Sequence, residues 1–435
     1  MHRIIIHKLG PIEDIELRCD HFMLLTGSQA SGKSTTAKVV YFFRTVKDEI
    51  MELAIRLATD ADYPERDILL RSQMESRLRE KFMQLFGSSW GMDNGMRISC
   101  QYGRQGQTSL EIYLTSDQQF GMPNFIYIGY SGDIRKFLND QEEKLRPNSG
   151  SLADQEKAGI KKALAELFDD DFDTVYIPAG RSMITLLASQ LDYIYATMSD
   201  AQKRGIDFCT RRYWEEILRL RPEFYDGLSG LRRDNDVATE LADTVMLARK
   251  VIDEILKGEY RSKDREERLV IDNGRYVKIN FTSSGQQEVV WILNLLFYYL
   301  IKRRKTFFII EEPESHLFPD AQKNISNLVS LVANEGHEAL LTTHSPYVLG
   351  SLNNLLYAGQ MKEGLQEATG RVIDKRFWIS PNTFGAWFIR DGMADDCMDA
   401  EIGLIRNELI DGISEVINNE YEELFSIRHG IEGAE

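Results

Sequence analysis

The segment Gly27-Ser28-Gln29-Ala30-Ser31-Gly32-Lys33-Ser34 constrains this chain more than any other. Two glycines separated by four residues and followed by Lys and Ser fit the pattern whose backbone N–H groups cradle phosphates. Before it, Phe22-Met23-Leu24-Leu25 predicts a short buried strand. After it, Thr35 to Lys47 carries Ala37, Val40, Tyr41 and Val46 and predicts a helix. Strand, glycine loop and helix in that order make a nucleotide site. The glycines let the backbone curl so that its N–H groups point inward. The helix N-terminus adds unpaired N–H groups and a dipole that favour an anion. Lys33 supplies a point charge for the β- and γ-phosphates, and the Ser34 hydroxyl a ligand for Mg²⁺. The expected nucleotide-binding residues are therefore Gly27, Ser28, Gln29, Ala30, Ser31, Gly32, Lys33, Ser34 and Thr35.

Composition narrows the class. A chain of 435 residues, 43% hydrophobic, has room for two or three domains. The formal net charge of −16 argues against indiscriminate polyanion binding, which draws its affinity from Lys and Arg. Cys19, Cys100, Cys209 and Cys397 have neither metal-ligand nor redox spacing. Ile4-Ile5-Ile6 runs straight into His7 and Lys8, unlike a signal peptide. The longest apolar run, Val289 to Leu300, is shorter than the ~20 residues that cross a membrane. The expectation is a cytoplasmic protein without a membrane partner.

Along the chain, Arg3–His7 and Ile12–Leu17 predict strands joined at Gly10-Pro11. Helical pattern continues to Leu57, breaks at Tyr63-Pro64 and returns over Asp67–Phe86. Arg97–Tyr102, Leu110–Leu114 and Phe125–Ile128 predict strands. Residues 138–156 read as a polar connector, and Ile160–Phe168 as a helix. Thr174–Arg181 is a strand ending at a turn, followed by about a hundred mostly helical residues. Leu269–Ile271 and Tyr276–Ile279 flank Asp272-Asn273-Gly274, a strong hairpin signal.

Two later strands end in chemistry. Thr306-Phe307-Phe308-Ile309-Ile310-Glu311-Glu312-Pro313 suits the centre of a parallel sheet covered on both faces. Ligands sit at the carboxyl ends of such strands. Glu311 is assigned to the Mg²⁺ shell, and Glu312 to polarising an attacking water as general base. Leu340-Leu341-Thr342-Thr343-His344 is a second such strand, whose terminal imidazole is placed to meet a γ-phosphate or its water. Phe281-Thr282-Ser283-Ser284-Gly285-Gln286-Gln287 precedes the apolar helix from Val289 and offers another helix N-terminus to an anion.

Together these motifs resemble the ABC-type ATPase head, specifically soluble heads of the SMC, RecF and OLD kind. Gly27–Ser34 resembles Walker A. Ser283–Gln287 resembles the signature motif in a Ser-Ser-Gly-x-Gln form. Ile309–Pro313 resembles Walker B, with Glu311 where many heads have Asp. Ser315-His316-Leu317-Phe318-Pro319 resembles the D-loop, and His344 the switch histidine. Tyr176-Ile177-Pro178-Ala179-Gly180-Arg181 and the segment Phe384–Leu424 further resemble stand-alone ATPases of bacterial anti-phage systems such as Septu and PARIS. Gln84 and Gln101 are the glutamines available for a Q-loop, and neither has the family's neighbourhood.

The resemblance implies an α/β P-loop head with a mixed or parallel sheet, an antiparallel β subdomain and a helical insertion. Residues 1–181 would carry Walker A and 182–268 the insertion. Residues 269–360 would carry the signature, Walker B, D-loop and His344, and 361–435 an α-rich extension for partner docking. It implies an ATPase using ATP and Mg²⁺, with Ser34 and Glu311 at the metal and Glu312 and His344 catalytic. Ser283, Ser284, Gly285 and Gln286 would cap the nucleotide of a second copy, in a dimer or higher homo-oligomer. The implied role is anti-phage defence, holding or activating an effector such as a nuclease on another polypeptide. The alternative is a RecF- or SMC-like DNA-repair or chromosome ATPase. There Arg211, Arg212, Tyr213, Trp214, Arg219, Arg221, Arg232 and Arg233 would touch DNA.

Overall fold

The computed structural model describes residues 2–59, 68–103, 106–117, 122–145, 152–187, 190–235, 237–263, 266–271, 274–406, 418–422, 424–425 and 428. The Tyr63-Pro64 break, the start of the Asp67 helix and the Asp272-Asn273 turn lie outside the described residues.

The chain opens with strands β1 (His2–Leu9), β2 (Ile12–Cys19) and β3 (Phe22–Gly27), then helices α1 (Lys33–Arg44), α2 (Val46–Thr59) and α3 (Leu70–Phe86). A meander follows: β4 (Arg97–Tyr102), β5 (Thr108–Asp117) and β6 (Met122–Tyr130). Helices α4 (Gly132–Leu145) and α5 (Asp154–Phe168) lead to β7 (Asp173–Ile177). A helical stretch comprises α6 (Ser182–Leu186), α7 (Leu191–Thr197), α8 (Asp200–Arg204), α9 (Phe208–Leu220), α10 (Gly227–Arg233) and α11 (Ala242–Leu256). It ends in a small antiparallel sheet of β8 (Glu259–Lys263), β9 (Glu266–Val270) and β10 (Tyr276–Lys278). Then come α12 (Ser284–Lys302), β11 (Thr306–Glu311), α13 (Pro319–Asn334), β12 (Glu338–Thr343), α14 (Pro346–Gly359) and α15 (Gln366–Val372). The strands β13 (Phe384–Arg390), β14 (Met393–Asp396), β15 (Met398–Asp399) and β16 (Leu404–Ile405) follow.

One sheet of eleven strands, β6-β5-β4-β1-β2-β14-β13-β3-β12-β11-β7, organises the whole. Its β13-β3-β12-β11-β7 part is parallel throughout. The β6-β5-β4-β1-β2 part is antiparallel. The fold is thus α/β with a mixed sheet, as the motif order implies. Alternate residues of the parallel strands enter different cores. Phe22, Leu24, Phe308, Ile310 and Leu341 pack under α9 to α14. Met23, Leu25, Phe307, Ile309 and Leu340 pack under α1 to α5 and the meander. Burial on both faces explains why these strands are nearly continuous apolar runs. Helix α12 is buried from Gly285 apart from Gln286 to Ile301, so it too is apolar all round.

Two expectations are corrected. Residues 138–145 of the supposed connector belong to α4, because Ile134, Leu138, Gln141 and Leu145 form a buried stripe. Polar residues on its other faces hid the helical period. The C-terminal part is not an α-rich extension over 384–405. There β13 inserts beside β3, and β14 joins β13 to β2. Within it, strands run at Asp395–Asp396, Met398–Asp399 and Leu404–Ile405. Beyond Phe384, the described helical residues appear only near the end of the chain, and 407–417 and 423 lie outside the described residues.

Candidate functional site

The phosphate loop, Glu311, Glu312 and His344 lie at the carboxyl ends of the parallel strands β3, β11 and β12. The phosphate loop leaves β3 at Gly27 (φ 143°) and turns through Ala30 (φ 60°) and Gly32 (φ 108°). A Cβ on Gly27 would lie 2.2 Å from the carbonyl oxygen of Ile389 in β13. One on Gly32 would lie 3.0 Å from the Ile12 side chain. The loop is therefore clasped between β13 and the β1–β2 turn, and only glycine fits at its two ends. Ser28, Gln29, Ala30 and Ser34 are exposed, Thr35 is half-buried, and Ser31, Gly32 and Lys33 are buried. Helix α1 begins with no side-chain cap and no acidic residue in its first turn. Its first N–H groups remain for an anion.

The Lys33 ammonium donates to the carbonyls of Gly27 (3.0 Å) and Ser28 (2.7 Å) and reaches Ser31 Oγ at 3.5 Å. Burial lowers its pKa below the usual lysine value, and the carboxylates of Glu312 and Glu314 act against that shift. The charge sits inside the loop, bound to oxygens that a phosphate would replace.

Glu311 closes β11 and is buried. Its Oε2 accepts from the Ala179 N–H at 3.1 Å, while its Oε1 is buried with no hydrogen-bond partner. An unmet carboxylate oxygen in a dry place is costly and calls for a donor or a cation. The Tyr176 hydroxyl, buried beside that carboxylate, is a donor within the chain itself. Burial, then the Glu311 charge, holds that phenol well above its usual pKa. Among the described residues no group of three or more His, Cys, Asp or Glu could cage a metal. One orphaned carboxylate oxygen and the exposed Ser34 hydroxyl instead fit Mg²⁺, which takes few protein oxygens and completes its shell with phosphates and water.

Glu312 adopts a left-handed backbone (φ 42°), an uncommon conformation for a non-glycine residue. Its N–H is pinned to the carbonyl (3.0 Å) and hydroxyl (3.2 Å) of Thr342. Its Oε2 accepts from Ser315 Oγ at 3.1 Å, and its Oε1 lies 3.5 Å from His344 Nε2. Both side chains are about one-third exposed, at 37% and 34%. Because β12 lies between β3 and β11, His344 is set between the phosphate loop and the two carboxylates. The geometry leaves Glu312 partly open and oriented, while Glu311 points inward.

The sequence reading missed Glu314. Its Oε1 accepts from Thr343 Oγ1 (2.5 Å) and from the His344 N–H (3.0 Å), and its Oε2 is buried without a partner. Burial raises its pKa, against the help of those bonds. It fixes the backbone that presents His344. A third carboxylate one residue past Pro313 was the available signal. Arg181 and Glu288 were missed as well. They are the buried ion pair behind β11, and only the Pro-Ala-Gly-Arg string hinted at one of them.

Ser283, Ser284, Gly285 and Gln286 stand apart. Ser283 and Ser284 are exposed. Ser283 caps α12, its Oγ accepting from the Gln286 N–H at 3.3 Å while Gln286 Oε1 accepts from the Ser283 N–H at 3.1 Å. Gln286 also donates to the Leu256 carbonyl. A Cβ on Gly285 would lie 2.6 Å from the His316 carbonyl, so this turn rests on the D-loop-like segment of its own chain. Among the described residues it makes no hydrogen bond or ion pair with Gly27–Thr35.

The arginines offered for DNA contact are mostly committed. Arg212 pairs with Glu215, Arg219 with Glu216, Arg221 with Glu267 and Arg233 with Asp226. Arg211 donates to Gln84, and Tyr213 is buried. All four cysteines are free and buried. Among the described residues, no helix is long and apolar enough to cross a membrane.

Comparison with known proteins adds a family. No curated protein matches the sequence. Among solved structures, the SmcHead bound to the C-winged helix domain of ScpA is 10% identical, with a TM-score of 0.40, covering 91% of this chain and 95% of that one. The SMC head domain from Thermotoga maritima is 12% identical, with a TM-score of 0.36, covering 91% and 97%. The Smc head domain with an extended coiled coil, bound to the C-terminal domain of ScpA from Pyrococcus furiosus, is 12% identical, with a TM-score of 0.37 and coverage of 91% and 96%. The AAA ATPase domain model matches residues 108–349. That is more than half of the chain, and it takes in Ser283–Gln286, Glu311, Glu312, Glu314 and His344. The chain belongs to the AAA ATPase domain family.

Proposed function

We propose that the chain is an ABC-type ATPase that binds and hydrolyses ATP and completes its site with a second copy of itself. One observation carries this reading. Lys33, Glu311, Glu312 and His344 converge at the strand ends, whereas Ser283 and Ser284 are exposed and unconnected to the loop. A chain alone thus holds a nucleotide cradle and, elsewhere, a free capping edge. Ser34 and Glu311 would hold Mg²⁺, which would supply charge stabilisation to the transferred group. Lys33 exchanges the Gly27 and Ser28 carbonyls for β- and γ-phosphate oxygens. Glu312 accepts a proton from water as the water oxygen bonds to the γ-phosphorus. The bond from that phosphorus to the β–γ bridging oxygen breaks, leaving ADP and phosphate. His344, 3.5 Å from Glu312, orients the water.

The biological setting we propose is anti-phage defence, with ATP state controlling a separate effector such as a nuclease. The Pro-Ala-Gly-Arg string, the charge of −16 and the in-chain pairing of the arginines favour a protein partner over DNA. Complementation tests the shared site. Lys33→Ala retains the capping edge, and Ser284→Arg retains the cradle. Each alone is expected to lose turnover, and their mixture to regain it through one intact composite site. A mixture as inactive as its parts would contradict a site shared between copies.

A further inference from the structure

We infer that Arg181 and Glu288 form the link through which the capping edge of a chain sets the position of that chain's own Glu312. Arg181 is a positioning residue, and the inference rests on the two-copy reading above.

Arg181 is among the largest side chains of the interior and only 2% exposed. An arginine stays charged, so burying it requires that its donors be met. They are met by the backbone of three motifs. Nη1 donates to the carbonyls of Glu311 (2.5 Å) and Pro178 (2.7 Å). Nη2 donates to the carbonyl of Glu312 (2.9 Å). Nε donates to the carbonyl of Glu288 (3.1 Å). The Glu288 carboxylate answers in the other direction, accepting the N–H of Arg181 and of Ser182 at 3.0 Å each. It lies 3.4 Å from the guanidinium, and both side chains are at most 2% exposed.

Glu288 lies one turn into α12, whose first residue is Ser284. One rigid helix therefore carries the exposed capping turn at its tip and the Arg181 anchor a turn behind it. The guanidinium then grips the two peptide groups that carry Glu311 and Glu312. Glu312 is the residue held in a left-handed conformation, and Thr342 pins its N–H from the other side. A backbone held between two anchors moves when either does. A shift of α12, when Ser283 and Ser284 engage a partner's nucleotide, reaches the Glu312 backbone through the Glu288–Arg181 contact. The same strut gives the reverse path, from the local nucleotide to the capping edge.

The test uses the full chain with a fluorescent ATP analogue for affinity and ATP turnover measured across protein concentrations. Arg181→Lys keeps the charge but cannot span four carbonyls, and Glu288→Gln keeps the shape but drops the charge. Both are expected to bind nucleotide within about threefold of wild type, while turnover falls about 100-fold, the scale of a small misplacement of a reacting group. In each, adding Ser284→Arg should cost about tenfold less than it costs in the wild-type background, because the single Ser284→Arg loss combines the missing cap on the partner's nucleotide with the missing signal to its own Glu312, and a broken link leaves only the first. Turnover near wild type in Glu288→Gln, or full additivity with Ser284→Arg, overturns the inference. If Arg181→Lys loses nucleotide affinity through misfolding, Glu288→Gln decides alone, and a loss of affinity there overturns it too. Failure of the two-copy reading shows separately, as wild-type turnover per chain that does not rise with protein concentration.

Discussion

The phosphate loop and the Ser283–Gln286 turn are both small-residue approaches to a helix N-terminus, and they are built in opposite ways. At the loop, α1 starts uncapped, Lys33 is folded inside, and β13 and the β1–β2 turn clasp the backbone. At the turn, Ser283 and Gln286 satisfy each other in a capping box, and the surface is open. The first leaves its N–H groups for a ligand. The second has already met some of its own, so it becomes an anion site only when a partner's phosphate competes with the cap. On the proposed reading, similar strings serve different tasks: one would hold the nucleotide within the chain, the other would meet it from outside.

Substitutions break this contrast with graded effects. Glu312→Gln should leave nucleotide affinity intact and lower steady-state turnover about 1000-fold, within the range for a general base. Ordinary turnover would remove Glu312 from the chemistry. Lys33→Ala should weaken ATP binding about 100-fold by titration calorimetry, the scale of lost charge-assisted bonds, with no such effect from Ser284→Arg. Equal losses would erase the distinction between cradle and edge.

The two ends of β12 sharpen the contrast further. His344 stands half-open beside Glu312, whereas His337, just before the strand, is buried and its pKa is lowered to about 4, by burial and then by His21. Its folded value lies below the ordinary 6.5, so the unfolded chain binds more protons and stability falls as pH drops from 6.5 toward 4. The loss is on the order of 2 kcal/mol, read by denaturant unfolding across that window. His337→Gln should reduce that slope. Smallest is Ser283→Ala, which removes the α12 cap and should cost about 1 kcal/mol of stability. A turnover loss larger than that unfolding explains marks the hydroxyl's separate role toward a second copy.

How much of this was visible beforehand depended on range. The loop, the β11 carboxylates and His344 were legible because each motif is local and its strand is apolar on both faces. β11 begins where the sequence placed it, at Thr306, and stops at Glu311, one carboxylate sooner than expected, because Glu312 turns into a left-handed backbone. Helix α4 was obscured because its apolar stripe is narrow among charges. The role of β13 was invisible, since pairing with β3 joins residues more than 350 positions apart and no local period encodes it. That pairing is what makes Gly27 obligatory. Glu314, Arg181 and Glu288 matter through tertiary contacts, and Glu312's left-handed backbone leaves no mark on composition.

The most direct measurement of the central claim is the mass of Glu312→Gln in solution by sedimentation, with ATP and with ADP. The account predicts at least a doubling of mass with ATP, absent with ADP and abolished by adding Ser284→Arg. The same mass with either nucleotide, in a protein shown to bind both, would contradict it.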